Sequence, residues 1–217
     1  MVQQWMKRIL LIATFISFYQ HDTFSQTPDY GALRPRQSLR PMFNVTLGLT
    51  SPQGHEGLRE FWLNGPGGSA EFLIQLNPLF ALGVGADMSL LFFDERAFAE
   101  RWPGIPLSGK QNLFVGNVYV GATYSFLPGR QTRPFVSAQV GAEFITEALY
   151  RQVIGGVRYT YYDVGGKTRL ALGVAAGASI SLDYDLALLV ELKGTFINND
   201  PNVGFLAHGR VGLQFKL

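Results

Sequence analysis

The sequence predicts an all-β protein, an eight-stranded antiparallel up-and-down transmembrane β-barrel. The chain ends on a long segment, 203–217, in which apolar and polar residues alternate. Such alternation is typical of a strand with one apolar and one polar face. Seven earlier segments alternate in the same way, and no stretch reaches the ~18 unbroken apolar residues of a membrane-spanning helix. A chain with this pattern is expected to cross a membrane with strands.

The composition limits the class of protein. A length of 217 residues leaves room for one domain and a targeting segment. With 47% hydrophobic and 16% charged residues, the chain is not disordered. A net charge of +2, spread along the chain, argues against a nucleic-acid partner. The absence of cysteine excludes disulfides, thiol catalysis and thiolate metal sites.

The first 26 residues are predicted to be a signal peptide. Lys7 and Arg8 precede a short apolar run, 9–19, and small residues follow at a possible cleavage site. A single membrane anchor is the alternative, but the run is too short to span a bilayer of ~30 Å. A polar, proline-containing lead, 27–40, connects this segment to the first strand.

Eight alternating segments account for the rest of the chain. They cover 43–50, 70–76, 80–92, 114–126, 136–144, 169–182, 186–196 and 203–217. Tight turns are predicted at Asn77-Pro78, 127–130 and 183–185. Long connections, 51–69, 94–111 and 147–168, alternate with these turns, and a moderate one covers 197–202. Long loops at one end and tight turns at the other are typical of membrane barrels, and an even strand count places both chain ends with the tight turns.

The positions of the aromatic residues indicate which face meets lipid. On the apolar faces, phenylalanines lie near the strand ends and aliphatic residues fill the middle. Two aromatic girdles around an aliphatic belt are expected of a lipid-facing surface. The opposite faces are rich in Gly, Ala and Ser, which suits the narrow interior of eight strands. The alternative is a soluble, lipocalin-like barrel with its apolar face inward.

The closing stretch 209–217 and the preceding alternating segments resemble the eight-stranded bacterial outer-membrane barrel superfamily. That group includes the OmpA transmembrane domain, OmpX and Bacteroidetes-type barrels such as the PorT-like proteins. The resemblance covers 41–217, although members usually end on Phe whereas this chain ends on Leu217. It implies an outer-membrane monomer with both termini in the periplasm. Implied partners are outer-membrane lipid, lipopolysaccharide and, during biogenesis, the barrel-assembly machinery.

Charged residues of both signs fall on the predicted lumen face. Because a buried charge must be paired, an internal salt-bridge network that plugs the barrel is expected. A gate or proton path is the alternative. The predicted network comprises Glu71, Asp87, Glu143, Arg169, Glu191, Lys193 and Arg210.

The sequence offers little for catalysis or cofactors. His208 lies on the lumen face, but with His21 and His55 elsewhere no metal set is expected. Lipid A deacylases of the same fold use a His, Ser and Glu arrangement on the outer rim, yet no strand here carries His-x-Ser. Ser179 or Ser181 would reach His208 only across the lumen. No catalytic, cofactor or metal residue is therefore predicted.

The long loops contain the candidate binding residues. Exposed aromatics beside arginine are typical of binding hot spots, and the alternative is that they pack on one another or on headgroups. The candidates are Trp62, Arg101, Trp102, Tyr159 and Tyr161. The expected function is a non-enzymatic barrel with a structural, surface-interaction or assembly role. A pore or transporter for small or hydrophobic solutes, and a lipid A-modifying enzyme, are the alternatives.

Overall fold

A computed structural model of the chain describes residues 39–53, 60–105, 112–154, 157–164, 166, 168–199 and 202–217. The predicted signal peptide, and all but the last two residues of the lead, lie outside these ranges. The described residues form eleven strands and one helix: β1 Arg40–Gln53, β2 Trp62–Leu63, β3 Gly65–Gln75, β4 Phe80–Phe93, α1 Glu95–Arg101, β5 Leu113–Ser125, β6 Thr132–Ile145, β7 Ala148–Ile154, β8 Val157–Val164, β9 Thr168–Ser181, β10 Leu186–Asn199 and β11 Asn202–Lys216.

Eight of the strands close into an antiparallel barrel. Their order is β4-β3-β1-β11-β10-β9-β6-β5, and β5 pairs back to β4. The closing pair joins β1 to β11, with Val45 opposite Leu213. Closure matters because an open edge would leave backbone N–H and C=O groups unpaired in hydrocarbon. The predicted fold class is confirmed, including the last strand as the closing one.

The barrel turns its apolar residues outward. Leu47 on β1 is 73% exposed and Leu192 on β10 is 71% exposed, whereas Lys193 and Arg210 are each 3% exposed. Exposed leucine beside buried charge inverts the arrangement of a soluble protein. A continuous apolar outer surface is what hydrocarbon requires, so the soluble barrel with an apolar lumen is excluded.

Tight turns and both ends of the described chain share one end of the barrel. The Asn77 side-chain oxygen accepts the backbone N–H groups of Leu79 and Phe80, each at 2.9 Å, and so fixes the β3–β4 turn. The backbone N–H of Leu217 donates to the carbonyl of Pro41 at 2.9 Å. This short-turn end therefore lies opposite the long-loop end.

The connections at the long-loop end differ from those expected. β1 continues to Gln53 and β3 begins at Gly65, so the loop predicted at 51–69 is shorter. β10 reaches Asn199 and β11 begins at Asn202, which leaves two residues between them. Backbone pairing between the strands continues beyond the lipid-facing part of the barrel, toward the long-loop end. The alternation that marks a strand in the sequence fades there, because neither face meets lipid.

The connection predicted at 94–111 contains a helix, α1, that was not predicted. The Asp94 carboxylate caps this helix by accepting the backbone N–H groups of Arg96 and Ala97 at 3.0 Å. An aspartate before Glu-Arg-Ala-Phe-Ala-Glu-Arg is an N-terminal helix signal that was available in the sequence. Among the described residues, no helix has the length and apolarity to cross a membrane.

The connection predicted at 147–168 is built on a β7–β8 hairpin. Ile154 pairs with Val157 and ends the ladder, with residues 155–156 between them in the sequence. Those two residues themselves lie outside the described ranges.

Candidate functional site

The middle of the lumen is crossed by a compact group of charges, here called the ion-pair layer: Asp87, Glu191, Lys193 and Arg210. Lys193 Nζ donates to one carboxylate oxygen of Asp87 at 2.5 Å, and Arg210 Nη1 donates to the other at 2.6 Å. Glu191 lies opposite Arg210 in the β10–β11 register, with 3.9 Å between their charged atoms. Three strands thus supply two negative and two positive charges, and the layer is neutral.

Neighbouring groups hold the ion-pair layer in place. Asn117 Nδ2 donates to Asp87 at 3.3 Å. Lys193 Nζ lies 4.1 Å from the centre of the Tyr119 ring, a cation–π contact. The Tyr119 ring in turn lies against Gly85, where a Cβ would collide with it. Glycine at this position makes room for the ring.

Three members of the predicted network lie outside the ion-pair layer. Glu71 accepts a hydrogen bond from Asn44 Nδ2 at 3.0 Å instead. Glu143 is buried, and neither carboxylate oxygen has a hydrogen-bond partner in the described part of the chain. Arg169 lies opposite Glu143 in the β6–β9 register without bonding to it. Alternation assigns a residue to the lumen, but it does not say which charges lie at the same height.

His208 is held by hydroxyl groups just above the ion-pair layer. Its Nδ1 lies 2.9 Å from Thr50 Oγ1 and its Nε2 lies 3.2 Å from Thr195 Oγ1. Ser179 is bonded elsewhere, donating to Gln214 at 3.1 Å. Both ring nitrogens are engaged by threonine, and Arg210 Nη2 also lies 3.2 Å from Nδ1. Among the described residues, neither a carboxylate nor a serine is hydrogen-bonded to the ring. Within the described ranges no group of three His, Asp or Glu side chains is placed to hold a metal.

The long-loop half of the lumen is filled by a hydrophobic cluster, here called the apolar plug. It combines the upper ends of barrel strands with β2, α1, β7 and β8. Its members are Phe61, Trp62, Leu91, Phe93, Phe98, Leu113, Val115, Ile145, Ala148, Tyr150, Tyr161, Ile197 and Leu206. Phe98 of α1 is fully buried at its centre, with ring centroids 5.8 Å from Phe61, Phe93 and Tyr150. Edge-to-face packing of this kind adds to the free energy of burial.

The plug corrects the assignment of the loop candidates. Trp62 is 2% exposed and Tyr161 is 8% exposed, so the expectation that both lie at the surface is wrong. Trp102 is half-buried, with its ring 5.2 Å from Tyr161. Arg101 is exposed and pairs with Glu60 at 3.3 Å, and Tyr159 is 47% exposed. The loop aromatics turn inward because the mouth of the barrel is apolar and would otherwise face water.

A signal for the plug was present in the sequence. Near the long-loop ends of five strands the lumen-facing positions change from polar to apolar. These positions are Leu91, Leu113, Val115, Ile145, Ile197 and Leu206. An apolar lumen mouth beside aromatic-rich loops predicts that the loops cover it.

Structural comparison places this architecture among known proteins. Neisserial surface protein A aligns with a TM-score of 0.50 and 13% identity, over 82% of this chain and 97% of that chain. OprG from Pseudomonas aeruginosa aligns with a TM-score of 0.51 and 10% identity, over 82% and 96% of the two chains. The chain has the fold of the small eight-stranded outer-membrane barrels.

Sequence comparison adds nothing to this. Neither a protein-family model nor a curated protein matches the chain. The outer-membrane enzyme PagL aligns with a TM-score of only 0.41 and 11% identity, which supports no conclusion about catalysis. The likenesses therefore establish an outer-membrane barrel fold and not a role.

Two small cavities lie among the described residues of the lumen. Between the ion-pair layer and the short-turn end lies a cavity of about 40 Å³, lined by Thr46, Ser69, Glu71, Tyr119 and Arg133 among others. A cavity of this size holds a few waters. A second cavity of about 10 Å³ lies beside Glu143 and His208. Each of these two spaces, both lined by described residues, is smaller than a ligand of ordinary size.

Proposed function

We propose that the protein is a closed, non-enzymatic outer-membrane barrel with a structural, surface-interaction or assembly role. The observation that carries this proposal is the filling of the lumen by two successive barriers. An ion crossing the barrel would first have to break the buried ion pairs of Asp87 and then part the aromatic rings around Phe98. Both steps are costly, because one exposes unpaired charge and the other opens a packed core.

The proposed orientation places the long-loop end outside the cell and both chain ends in the periplasm. It is supported by the segregation of the long connections from the tight turns, which is typical of outer-membrane barrels. The signal peptide predicted at 1–26 belongs to the same proposal. The barrel inserts through the barrel-assembly machinery, remains a monomer among outer-membrane lipid and lipopolysaccharide, and binds no nucleic acid.

The long-loop end is the proposed surface for a protein partner. The plug anchors α1 through Phe98, and it anchors the β7–β8 hairpin through Tyr150 and Tyr161. Residues on the outer sides of these elements, such as Arg101 and Tyr159, are thereby presented from a rigid base. A preorganised surface loses less conformational entropy on binding than a mobile loop does.

An enzymatic role is disfavoured by the surroundings of His208. A hydrolytic site requires a nucleophile, a base and access for substrate. His208 is bonded to two threonines beneath the plug. Mass spectrometry of lipid A from cells with and without the gene tests this point, and a mass change that depends on the gene would overturn it.

Conductance in planar bilayers tests the closed state. The purified full-length protein should give no stable open-channel currents, whereas a porin added to the same membrane should. Discrete, reproducible currents from this protein would promote the pore alternative.

Single cysteines test the orientation on a chain that has none of its own. Tyr159→Cys lies at the long-loop end, and Tyr184→Cys lies in the β9–β10 turn; both parent side chains are exposed. A membrane-impermeant maleimide applied to intact cells should label the first and spare the second. Labelling of Tyr184→Cys alone would reverse the proposed orientation.

A further inference from the structure

The lipid-facing surface is interrupted by an apolar groove of about 440 Å³ along the upper half of β3. Its floor is Gly68 and Ala70, because both project outward with almost no side chain. In the strand register, Gly68 lies between Leu47 of β1 and Met88 of β4, and these longer residues form the walls. Pro66 and Phe114 lie at the upper part of the lining.

The groove follows from the sequence of β3 as well as from the curvature of the barrel surface. Residues 65–70 read Gly-Pro-Gly-Gly-Ser-Ala, six residues without a large side chain, and the run of small residues in β9, 175–179, has five. Just above it, residues 64–66 face only two residues of β4, 90–91, so one extra residue forms a bulge. Bulges bend a strand locally and are placed where the surface must be redirected.

Two outward glycines are covered by aromatic rings, whereas Gly68, like Gly209 of β11, has only a leucine side chain near it. The Phe144 ring lies over Gly116, and the Phe205 ring lies over Gly194. The nearest side chain to the outward side of Gly68 is Leu47, and no ring covers it. A gap in a surface that faces hydrocarbon does not stay empty, since a neighbouring chain gains dispersion contacts by entering it.

We propose that this groove binds one acyl chain of lipopolysaccharide. The groove is continuous with the lipid-facing belt, its volume is that of a small-molecule site, and no charged residue lines it. It lies on the half of β3 nearer the long loops. The choice of lipopolysaccharide rests on the proposed orientation, which puts that half in the outer leaflet. A second copy related by a two-fold axis would set this concave face against itself and leave it unfilled.

Lipid retention by matched variants tests the proposal. Ala70→Leu fills the floor of the groove, and Ala176→Leu makes the same change at an exposed, outward position of β9, on the opposite wall. Packing contacts within a bilayer are modest, so lipopolysaccharide retained per barrel should fall about threefold to tenfold in Ala70→Leu. It should not change in Ala176→Leu. Native mass spectrometry of gently solubilised full-length protein measures retention, and the heat-dependent gel shift confirms that both variants fold.

Three results would overturn the assignment. They are equal retention by the two variants, a loss in both, or phospholipid retained as well as lipopolysaccharide and displaced by the same substitution. A failure of this kind would leave the closed-barrel proposal standing, because conductance and cysteine labelling of the wild-type orientation do not depend on what fills the groove.

Photocrosslinking identifies the occupant directly. The variants Ala70→Cys and Ala176→Cys are labelled with a benzophenone maleimide and irradiated in outer-membrane vesicles. A lipopolysaccharide adduct at position 70 that is several times more abundant than at position 176 supports the proposal. A barrel dimer at position 70, or equal lipid adducts at both positions, contradicts it.

Discussion

The two halves of the lumen are filled by different kinds of side chain. The ion-pair layer uses four charged side chains on three strands, with Asp87 at the centre. The apolar plug uses thirteen buried residues, about half of them from loops, with Phe98 at the centre. The first barrier depends on charge neutrality and geometry, and the second depends on volume.

The difference determines how each half responds to mutation. A buried charge that loses its partner is destabilising whatever replaces that partner, because the remaining ion has been taken out of water. A plug that loses one ring relaxes partly, and the cost follows the cavity that remains. The ion-pair layer should therefore fail abruptly, whereas the plug should weaken by degrees.

The largest effect is expected at the centre of the ion-pair layer. Asp87→Asn leaves Lys193 and Arg210 with one carboxylate, Glu191, between them, and should lower the free energy of unfolding by about 3–5 kcal/mol. Urea unfolding in lipid vesicles measures this change. Glu143→Gln is the matched control: it also neutralises a buried lumen carboxylate, but one that has no bonded partner in the described structure, so little stability should be lost.

A second substitution tests whether charge neutrality is what stabilises the ion-pair layer. Adding Lys193→Met to Asp87→Asn restores neutrality, since Glu191 and Arg210 then balance each other. The double variant should regain most of the lost stability, and the coupling energy follows from a double-mutant cycle. Additive losses would show that neutrality is not what stabilises the layer.

A smaller and more local effect is expected in the plug. Phe98→Ala should cost about 3 kcal/mol at the low end of values for buried phenylalanine, because the site can relax toward the loops. Loss of this anchor should also let α1 unfold locally, so that trypsin cleaves after the exposed Arg96 and Arg101, which limited proteolysis detects. Tyr159→Ala, at an exposed position of the β7–β8 hairpin, should change stability by less than about 0.5 kcal/mol. Unchanged proteolysis in Phe98→Ala would mean that the plug does not anchor α1.

Removing a hydroxyl group between the two halves of the lumen should cause an intermediate loss of stability. Thr50 Oγ1 lies 2.9 Å from His208 and 2.7 Å from Ser89. Thr50→Val keeps the shape but removes both hydrogen bonds. His208 Nδ1 keeps its contact with Arg210 Nη2 at 3.2 Å, so about 1–3 kcal/mol should be lost, mainly at Ser89. Thr132→Val, at an exposed strand end, is the control and should be close to neutral. Equal stability of both variants would show that water replaces the missing hydroxyl.

The outer surface of the barrel was more predictable than its interior. Within the aliphatic belt, a period of two assigns each strand residue to lipid or lumen, so the strand count and the outward position of residues such as Leu47 followed from the sequence alone. The heights at which lumen residues of different strands meet did not follow from the sequence. Asp87, Lys193 and Arg210 meet because β4 faces β10 and β11 across the lumen. The local sequence of these strands does not show that the three side chains lie at the same height.

The loop residues show the opposite limit. Trp62 and Tyr161 were expected at the surface because they lie in long connections. Their burial depends on an apolar mouth built by residues far away in sequence, such as Leu206. Local composition carries no information on such a long-range contact unless the lumen faces are examined together with the loops.

The smallest effect on stability is expected at the exposed rim of the plug, where charge is solvated. Arg101 pairs with Glu60 at 3.3 Å, and both side chains are largely in water. Such a pair contributes at most about 1 kcal/mol, so Arg101→Ala should leave urea unfolding almost unchanged, in contrast to Asp87→Asn. If the long-loop end binds a partner, the same variant should reduce partner recovery in co-purification from outer membranes, while Lys216→Ala at the short-turn end should not. A large loss of stability in Arg101→Ala would contradict the expectation that an exposed charge contributes little to stability and a buried charge contributes much.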